Sequence, residues 1–209
     1  MSMLSVARRG ESLGFRLLIA GALFSLPACS RPAPQAPEQR EAADGQRALD
    51  PEAVLAARWA AMFANPAAVV AAANEFGYAA SAWGRTATGG YQSLGAEQHL
   101  PAGTSPSIVH TGFKAIGAGA GRVDAITFTF AVDSTSSPDT RKTRDAVNIP
   151  RRIVAGFLSR FGVSPDDAVR RAVQTGTSTT MRVSSGSIAV EGRPAADGAG
   201  YRSTVTIAP

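Results

Sequence analysis

From Arg122 to Val132 the chain reads as one extended element, and within it large apolar residues alternate with small ones. Ile126, Phe128, Phe130 and Val132 are interleaved with Thr127, Thr129 and Ala131. A period of two places the first set on one side of a strand and the second on the other, so one side is buried and the other meets solvent. Such a strand needs hydrogen-bonding neighbours and a layer over its apolar face alone, which commits the chain to a sheet covered on one side. Neighbours are legible on both sides in sequence. Ile108–Ile116 precedes it across the turn-forming run Gly117-Ala118-Gly119-Ala120-Gly121, and Ala80–Arg85 and Tyr91–Gln98 flank Ala87-Thr88-Gly89-Gly90. These read as two hairpins. Three further strands close the chain, Thr177–Ser184, Ser187–Arg193 and Tyr201–Ile207, separated by Ser185-Gly186 and Ala195–Gly200.

The covering layer is readable from caps and periodicity. Asp50-Pro51-Glu52 joins an N-cap acid to a proline at the first helical position, and Asn65-Pro66 repeats the device, with Gly77 placed to end the second helix. Val54, Leu55, Trp59, Met62 and Phe63 share a face of the first; Val69, Val70, Ala73 and Phe76 share one of the second. Between Asp139 and Phe161 a third helical pattern gathers Val147, Ile153, Val154, Phe157, Leu158 and Phe161 in one sector, with Pro150 predicted to break or kink it. Ser164-Pro165-Asp166-Asp167 opens a fourth, with Ser164 as the expected N-cap. Short turns between successive strands imply antiparallel pairing. The expected class is α+β: an antiparallel sheet of hairpins and a C-terminal three-stranded meander packed against helices, one domain spanning residues 50–209.

What precedes residue 50 is of another kind. Arg8, Arg9 and Arg16 lead into Leu17-Leu-Ile-Ala-Gly-Ala-Leu-Phe-Ser-Leu26. A basic stretch followed by a short apolar run fits a secretory signal. As a helix the run spans about 15 Å, half of a bilayer's hydrocarbon thickness, so a permanent membrane span is not expected. The Arg8-Arg9 pair is not followed by the hydrophobic pair of a twin-arginine signal, since Glu11 and Ser12 stand there. At the end of the run comes Leu26-Pro27-Ala28-Cys29-Ser30. This resembles the lipobox of bacterial lipoproteins, with Pro27 departing from the commoner small or β-branched residue at its position. The resemblance covers residues 1–30 alone. It implies cleavage between Ala28 and Cys29, a diacylglycerol on the Cys29 sulfur and an acyl chain on its new amine. Three acyl chains hold far more firmly than a single myristoyl group, whose binding is marginal. Ser30 in place of an acid at the next position implies the inner leaflet of a Gram-negative outer membrane. An ordinary secretory cut after Ala28 would leave Leu26 where small residues are preferred.

Residues 29–49 hold Pro32, Pro34 and Pro37 with no aromatic or β-branched residue, and such a stretch buries too little apolar surface to offset its ordering entropy. It reads as a disordered tether. Its length corresponds to about 25 Å as a coil and up to roughly 60 Å if polyproline-like.

The chemistry-bearing residues are sparse. Cys29 is the one cysteine, which excludes an intramolecular disulfide framework and a cysteine-rich zinc site. Gly117–Gly121 precedes a strand rather than a helix and no Gly-Lys-Ser/Thr occurs, so a phosphate loop is not expected. Gly90-Tyr91-Gln92-Ser93-Leu94-Gly95 misses the nucleophile-elbow spacing by one residue. His99 and His110 lie in or beside strands without H-x-x-x-H spacing or a nearby run of carboxylates, so no metal and no cofactor are expected and both read as ordinary strand or surface histidines. Paired acids occur at Asp166-Asp167, where the helix start explains them, and Asp124 and Asp133 stand alone.

Setting aside the +2 of residues 1–28, the formal charge of the remainder is +3, carried by arginine far more than lysine. Arg141, Lys142, Arg144, Arg151, Arg152, Arg160, Arg170 and Arg171 outnumber Asp139, Asp145, Asp166 and Asp167 in the helical stretch. On an exported, anchored chain such a face suits anionic lipid head groups or an acidic envelope partner rather than nucleic acid, and the plainer account is a solvated helix face. The expected function is therefore that of a lipid-anchored cell-envelope protein, a non-enzymatic binding or accessory subunit with its domain in the periplasm, contacting the membrane through Cys29 and an envelope protein through the domain. Two alternatives stay open: an anchored hydrolase of cell wall or envelope polymer, which would need His99 or His110 beside a Ser or Asp in an accessible cleft, and a carrier of a small apolar ligand, which would need a hollow interior.

Overall fold

The structure is a computed structural model that describes residues 50–102, 108–133, 140–195 and 200–209, with the first turn and a quarter of its third helix described by backbone alone. Ala28, Cys29 and the tether lie outside the described residues.

Two helices open the domain, α1 (Pro51–Phe63) and α2 (Pro66–Glu75), meeting at 89°. Their starts follow the sequence reading. The Asp50 carboxylate accepts the Glu52 amide at 3.0 Å and the Asn65 side chain accepts that of Ala68 at 3.0 Å. Trp59, Met62, Phe63, Val69, Ala72 and Ala73 are buried. Among the described residues no single helix is long and apolar enough to cross a membrane.

Five strands follow: β1 (Gly84–Arg85), β2 (Tyr91–Leu94), β3 (Gln98–Pro101), β4 (Ile108–Gly117) and β5 (Ala125–Asp133). The expected strand at 80–85 survives only as β1; ahead of it Ala79 adopts a positive φ of 46°, and the Ser81 amide donates to the Leu94 carbonyl at 2.9 Å outside the strand ladder. The expected strand at 91–98 divides at Gly95. A Cβ there would come within 2.9 Å of the Tyr78 Cβ and 3.0 Å of the Phe113 Cβ, so the chain passes between two aromatic residues at a point only glycine fits. Beyond it β3 resumes beside the other half of β4.

Helix α3 (Thr140–Ser159) continues through Pro150, so of the expected break or kink the break does not occur. The buried proline ring and the neighbouring Ala146, Ile149, Ile153, Val154, Phe157 and Leu158 pack into the core, and that burial outweighs one missing backbone donor. Helix α4 (Asp167–Thr175) starts two residues later than expected. Asp166, not Ser164, caps it, accepting the Val169 amide at 2.7 Å. The chain ends in β6 (Thr179–Val183), β7 (Gly186–Pro194) and β8 (Gly200–Ala208). The β6–β7 loop is the two residues Ser184-Ser185, with Ser184 at φ 52°. Gly186 follows because a Cβ would strike the Trp59 indole at 2.2 Å and the Ala208 carbonyl at 2.4 Å.

All pairings are antiparallel, in the order β1-β2-β4-β5-β8-β7-β6, with β3 beside β2 along the same edge of β4. The sheet thus closes on a long connection, β5 reaching β8 by way of both helices and two strands. One face carries Val109, Phe113, Ile126, Phe128, Phe130, Val190, Val205 and Ile207, and the helices pack on it. At its centre the Phe128 ring meets Phe157 edge-on at 5.0 Å, with Tyr78 and Phe113 at 5.8 and 5.4 Å. The architecture is the α+β single domain that the alternation at 126–132 demands.

Candidate functional site: the uncovered face of the sheet

Among the described residues no helix covers the opposite face. The ladder registers place its residues in rows across the strands, because residues directly opposite in an antiparallel pair share a face. One row runs His99, His110, Ala131, Arg202, Arg193; the next Gly112, Thr129, Thr204, Glu191; the third Leu94, Lys114, Thr127, Thr206, Ala189, Thr180. Small residues dominate the floor. At Gly112 a Cβ would meet the Thr129 hydroxyl at 2.7 Å, so the glycine deepens the surface there. The result is an open concavity of about 1250 Å³ bordered by His110, Lys114, Asp133, Glu191, Arg193 and Arg202.

Among the described residues the exposed large apolar side chains are Leu94, Ile108 and Ile116, at 45%, 43% and 40% exposure, and all three stand on this face. Ile108 and Ile116 bracket His110, Gly112 and Lys114 along β4, while Leu94 lies beside Lys114.

The β3 end of the face gathers the titratable groups. The register puts His99 opposite His110, their rings 4.4 Å apart and nearly perpendicular. The His110 Nδ1 lies 3.9 Å from Glu97 Oε1, and its Nε2 lies 3.2 Å from Asp133 Oδ2. Ligand atoms of Glu97, His99 and His110 all fall within 4.8 Å of one another. Sequence reasoning missed this meeting. The signal lay in the hairpin, since His99 and His110 are equidistant from its middle at Thr104-Ser105, but only a known register turns equal spacing into contact.

The other candidates are accounted for structurally. Ser93 is fully buried and donates to the Ser81 carbonyl at 2.6 Å. Gly117–Gly121 forms the β4–β5 connection, held by the Trp83 indole donating to the Ala120 carbonyl at 2.9 Å and by Asp124 accepting the Ala118 amide at 2.6 Å. Asp167 sits 3.6 Å from Arg170, and Arg160 pairs with Glu75. Arg141, Lys142 and Arg144 lie in the opening turns of α3, and their side chains are outside the described residues.

Two buried tyrosines mark the core side of the same strands. Tyr78 pairs with the Thr111 hydroxyl, and Tyr201 donates to the Val173 carbonyl at 2.8 Å. Burial pushes the Tyr78 phenol up to about 12, with the Thr111 hydrogen bond opposing, and burial raises that of Tyr201 as well.

Helices on one face and, among the described residues, a charge-bordered sheet open on the other define a two-layer α+β domain. No family model matches the chain, and neither the curated proteins nor the solved structures yield a match.

Proposed function

We propose that the chain is a lipid-anchored protein of the cell envelope, held by a diacylated and N-acylated Cys29, whose folded domain binds an envelope protein through the uncovered face of its sheet. The observation that carries the binding reading is the coincidence, among the described residues, of the three exposed large apolar side chains, Leu94, Ile108 and Ile116, with the sheet face that no helix covers. Apolar side chains at both ends of a polar, charge-bordered floor give a partner separate anchor points on one face. The size also suits one. Five strands at about 4.8 Å spacing and up to ten residues long present roughly 700 Å², near the ~800 Å² each partner contributes to a standard interface. The lipobox-like Leu26–Cys29 supports the anchor, and the tether gives the domain reach from the membrane.

In-cell photo-crosslinking tests the partner. A photoreactive residue at Leu94, Ile116 or Thr129 is expected to capture one near-stoichiometric envelope protein, and one at exposed Arg171 on α4 is expected not to. Equal, scattered capture from both faces overturns the reading. The anchor is tested separately by palmitate labelling, expected in the wild type and absent from Cys29→Ala.

A second reading has one observation of its own. An anchored hydrolase needs a histidine beside an acid in an accessible cleft, and His110 stands beside Asp133 at the concavity. No serine or threonine hydroxyl is hydrogen-bonded to either histidine among the described residues, so the chemistry would run through an activated water rather than a side-chain nucleophile. Hydrolysis of wall fragments by the purified protein, abolished in His110→Ala, would replace the binding reading with this one.

A further inference from the structure

We propose that Glu97, His99 and His110 form a binding site for one divalent transition-metal ion of the zinc type, with Asp133 as the residue that orients His110. The site does not depend on what the domain docks against.

The site is made by strand pairing. His99 on β3 and His110 on β4 are direct cross-strand partners, a relation that fixes their Cβ atoms about 4.5–5.5 Å apart on one face. Their rings lie edge to face, 79° between planes, rather than stacked. Glu97, one residue before β3, brings its carboxylate 3.9 Å from the His110 Nδ1, completing a trio whose ligand atoms lie within 4.8 Å of one another. Bonds of about 2.0–2.2 Å in a tetrahedral site set ligand atoms roughly 3.3–3.6 Å apart. Glu97 and His99 are exposed and free to rotate by the ångström that closing the trio requires.

Asp133 supplies the orientation. Its carboxylate lies 3.2 Å from the Nε2 of His110, on the side away from Glu97, and its charge favours a proton on that nitrogen. The Nδ1 lone pair is then left facing Glu97. In a neutral imidazole this sets two electron-pair donors against each other, and a cation between them turns the repulsion into two bonds. A carboxylate behind a coordinating imidazole is the usual outer partner of a metal-bound histidine. Two imidazoles with one carboxylate select a borderline divalent ion such as zinc, cobalt, nickel or copper over magnesium or calcium, which take oxygen ligands. Three protein ligands would leave a coordination position for water. The ion would also tie the four-residue edge strand β3 to β4.

The test uses the full-length protein in detergent, stripped with chelator and titrated with Zn²⁺ alone. One ion per chain is expected, with affinity lowered about 10–100-fold by Asp133→Asn and by at least as much in His99→Gln and His110→Gln. Zn²⁺ is expected to raise the urea midpoint of the wild type and to leave that of the His99→Gln/His110→Gln double variant unmoved. Co²⁺ substituted for Zn²⁺ is expected to give visible ligand-field absorption that the double variant lacks. Because all the substituted side chains are at the surface, a metal-free midpoint equal to the wild type's shows that each variant folds. Absence of saturable binding, or equal Zn²⁺ affinity in the wild type and the double variant, overturns the proposal.

Discussion

The Tyr78–Thr111 pair offers a quantitative test of how the core is held. Both side chains lie on the helix-covered side of the sheet, Tyr78 fully buried and Thr111 at 2% exposure, and their hydroxyls are hydrogen-bonded to each other. Tyr78→Phe keeps the ring against Phe113 and Phe128 but orphans the Thr111 hydroxyl. Thr111→Val keeps the shape of that side chain but orphans the phenol. A buried polar group stripped of its partner costs about 1–3 kcal/mol, whereas replacing both partners by apolar groups of the same shape is close to neutral. Each single variant should therefore lose about 1–3 kcal/mol in urea unfolding at neutral pH. The double variant should lose no more than the worse single, for a coupling of about 1–3 kcal/mol in a double-mutant cycle. The slope of the unfolding transition should not change, since the same surface is buried. Strictly additive losses would mean that the two hydroxyls do not depend on each other, and would refute the pairing.

Tyr78 also predicts an alkaline limit. Its phenol is raised from 10.0 to about 12 in the folded protein, so stability is fully present below pH 10 and falls by roughly 3 kcal/mol as pH rises towards 12, with Tyr201 adding in the same direction; chemical denaturation against pH would read the loss. Asp166→Ala should destabilise by about 0.5–2 kcal/mol, while Ser164→Ala should stay within about 0.5 kcal/mol, since Asp166 caps α4; equal effects in thermal melts would refute that assignment. Phe128→Ala should lose about 3–5 kcal/mol by the same measurement, as Phe128 sits fully buried between Tyr78, Phe113 and Phe157. Gly186→Val should lower the yield of folded protein sharply, because the Trp59 indole and the Ala208 backbone occupy the space its side chain would take.

Local patterns made most of the fold legible. The alternation at 126–132 and the Asp50-Pro51 and Asn65-Pro66 caps are signals within a few residues, and the elements form where they predict. The misreadings arise where tertiary packing overrides the local pattern. Gly95 splits a continuous apolar-polar run because Tyr78 and Phe113 press from both sides. Pro150 stays helical because its ring is buried in the core. The His99–His110 meeting was illegible for a related reason. A slip of one residue between β3 and β4 would send His99 to the other face, and what fixes that register is distributed over the whole edge of the sheet.

The sheet's order also sets a timetable. β5 is held on one side by β4 and on the other by β8, whose first residue is synthesised after 66 intervening positions. Until those positions have joined the folding chain, β5 waits for its second neighbour. During that interval the edge that will receive β8 is unpaired, beside a row of Ile126, Phe128, Phe130 and Val132, and an unpaired apolar edge is a template for pairing with other chains. The central strand pair, Phe128 against Val205, joins positions far apart in sequence, so loop-closure entropy makes it a slow step. The nascent chain therefore passes through a half-built sheet that invites self-association, and its yield should depend on whatever shields β5 until the C-terminal meander arrives.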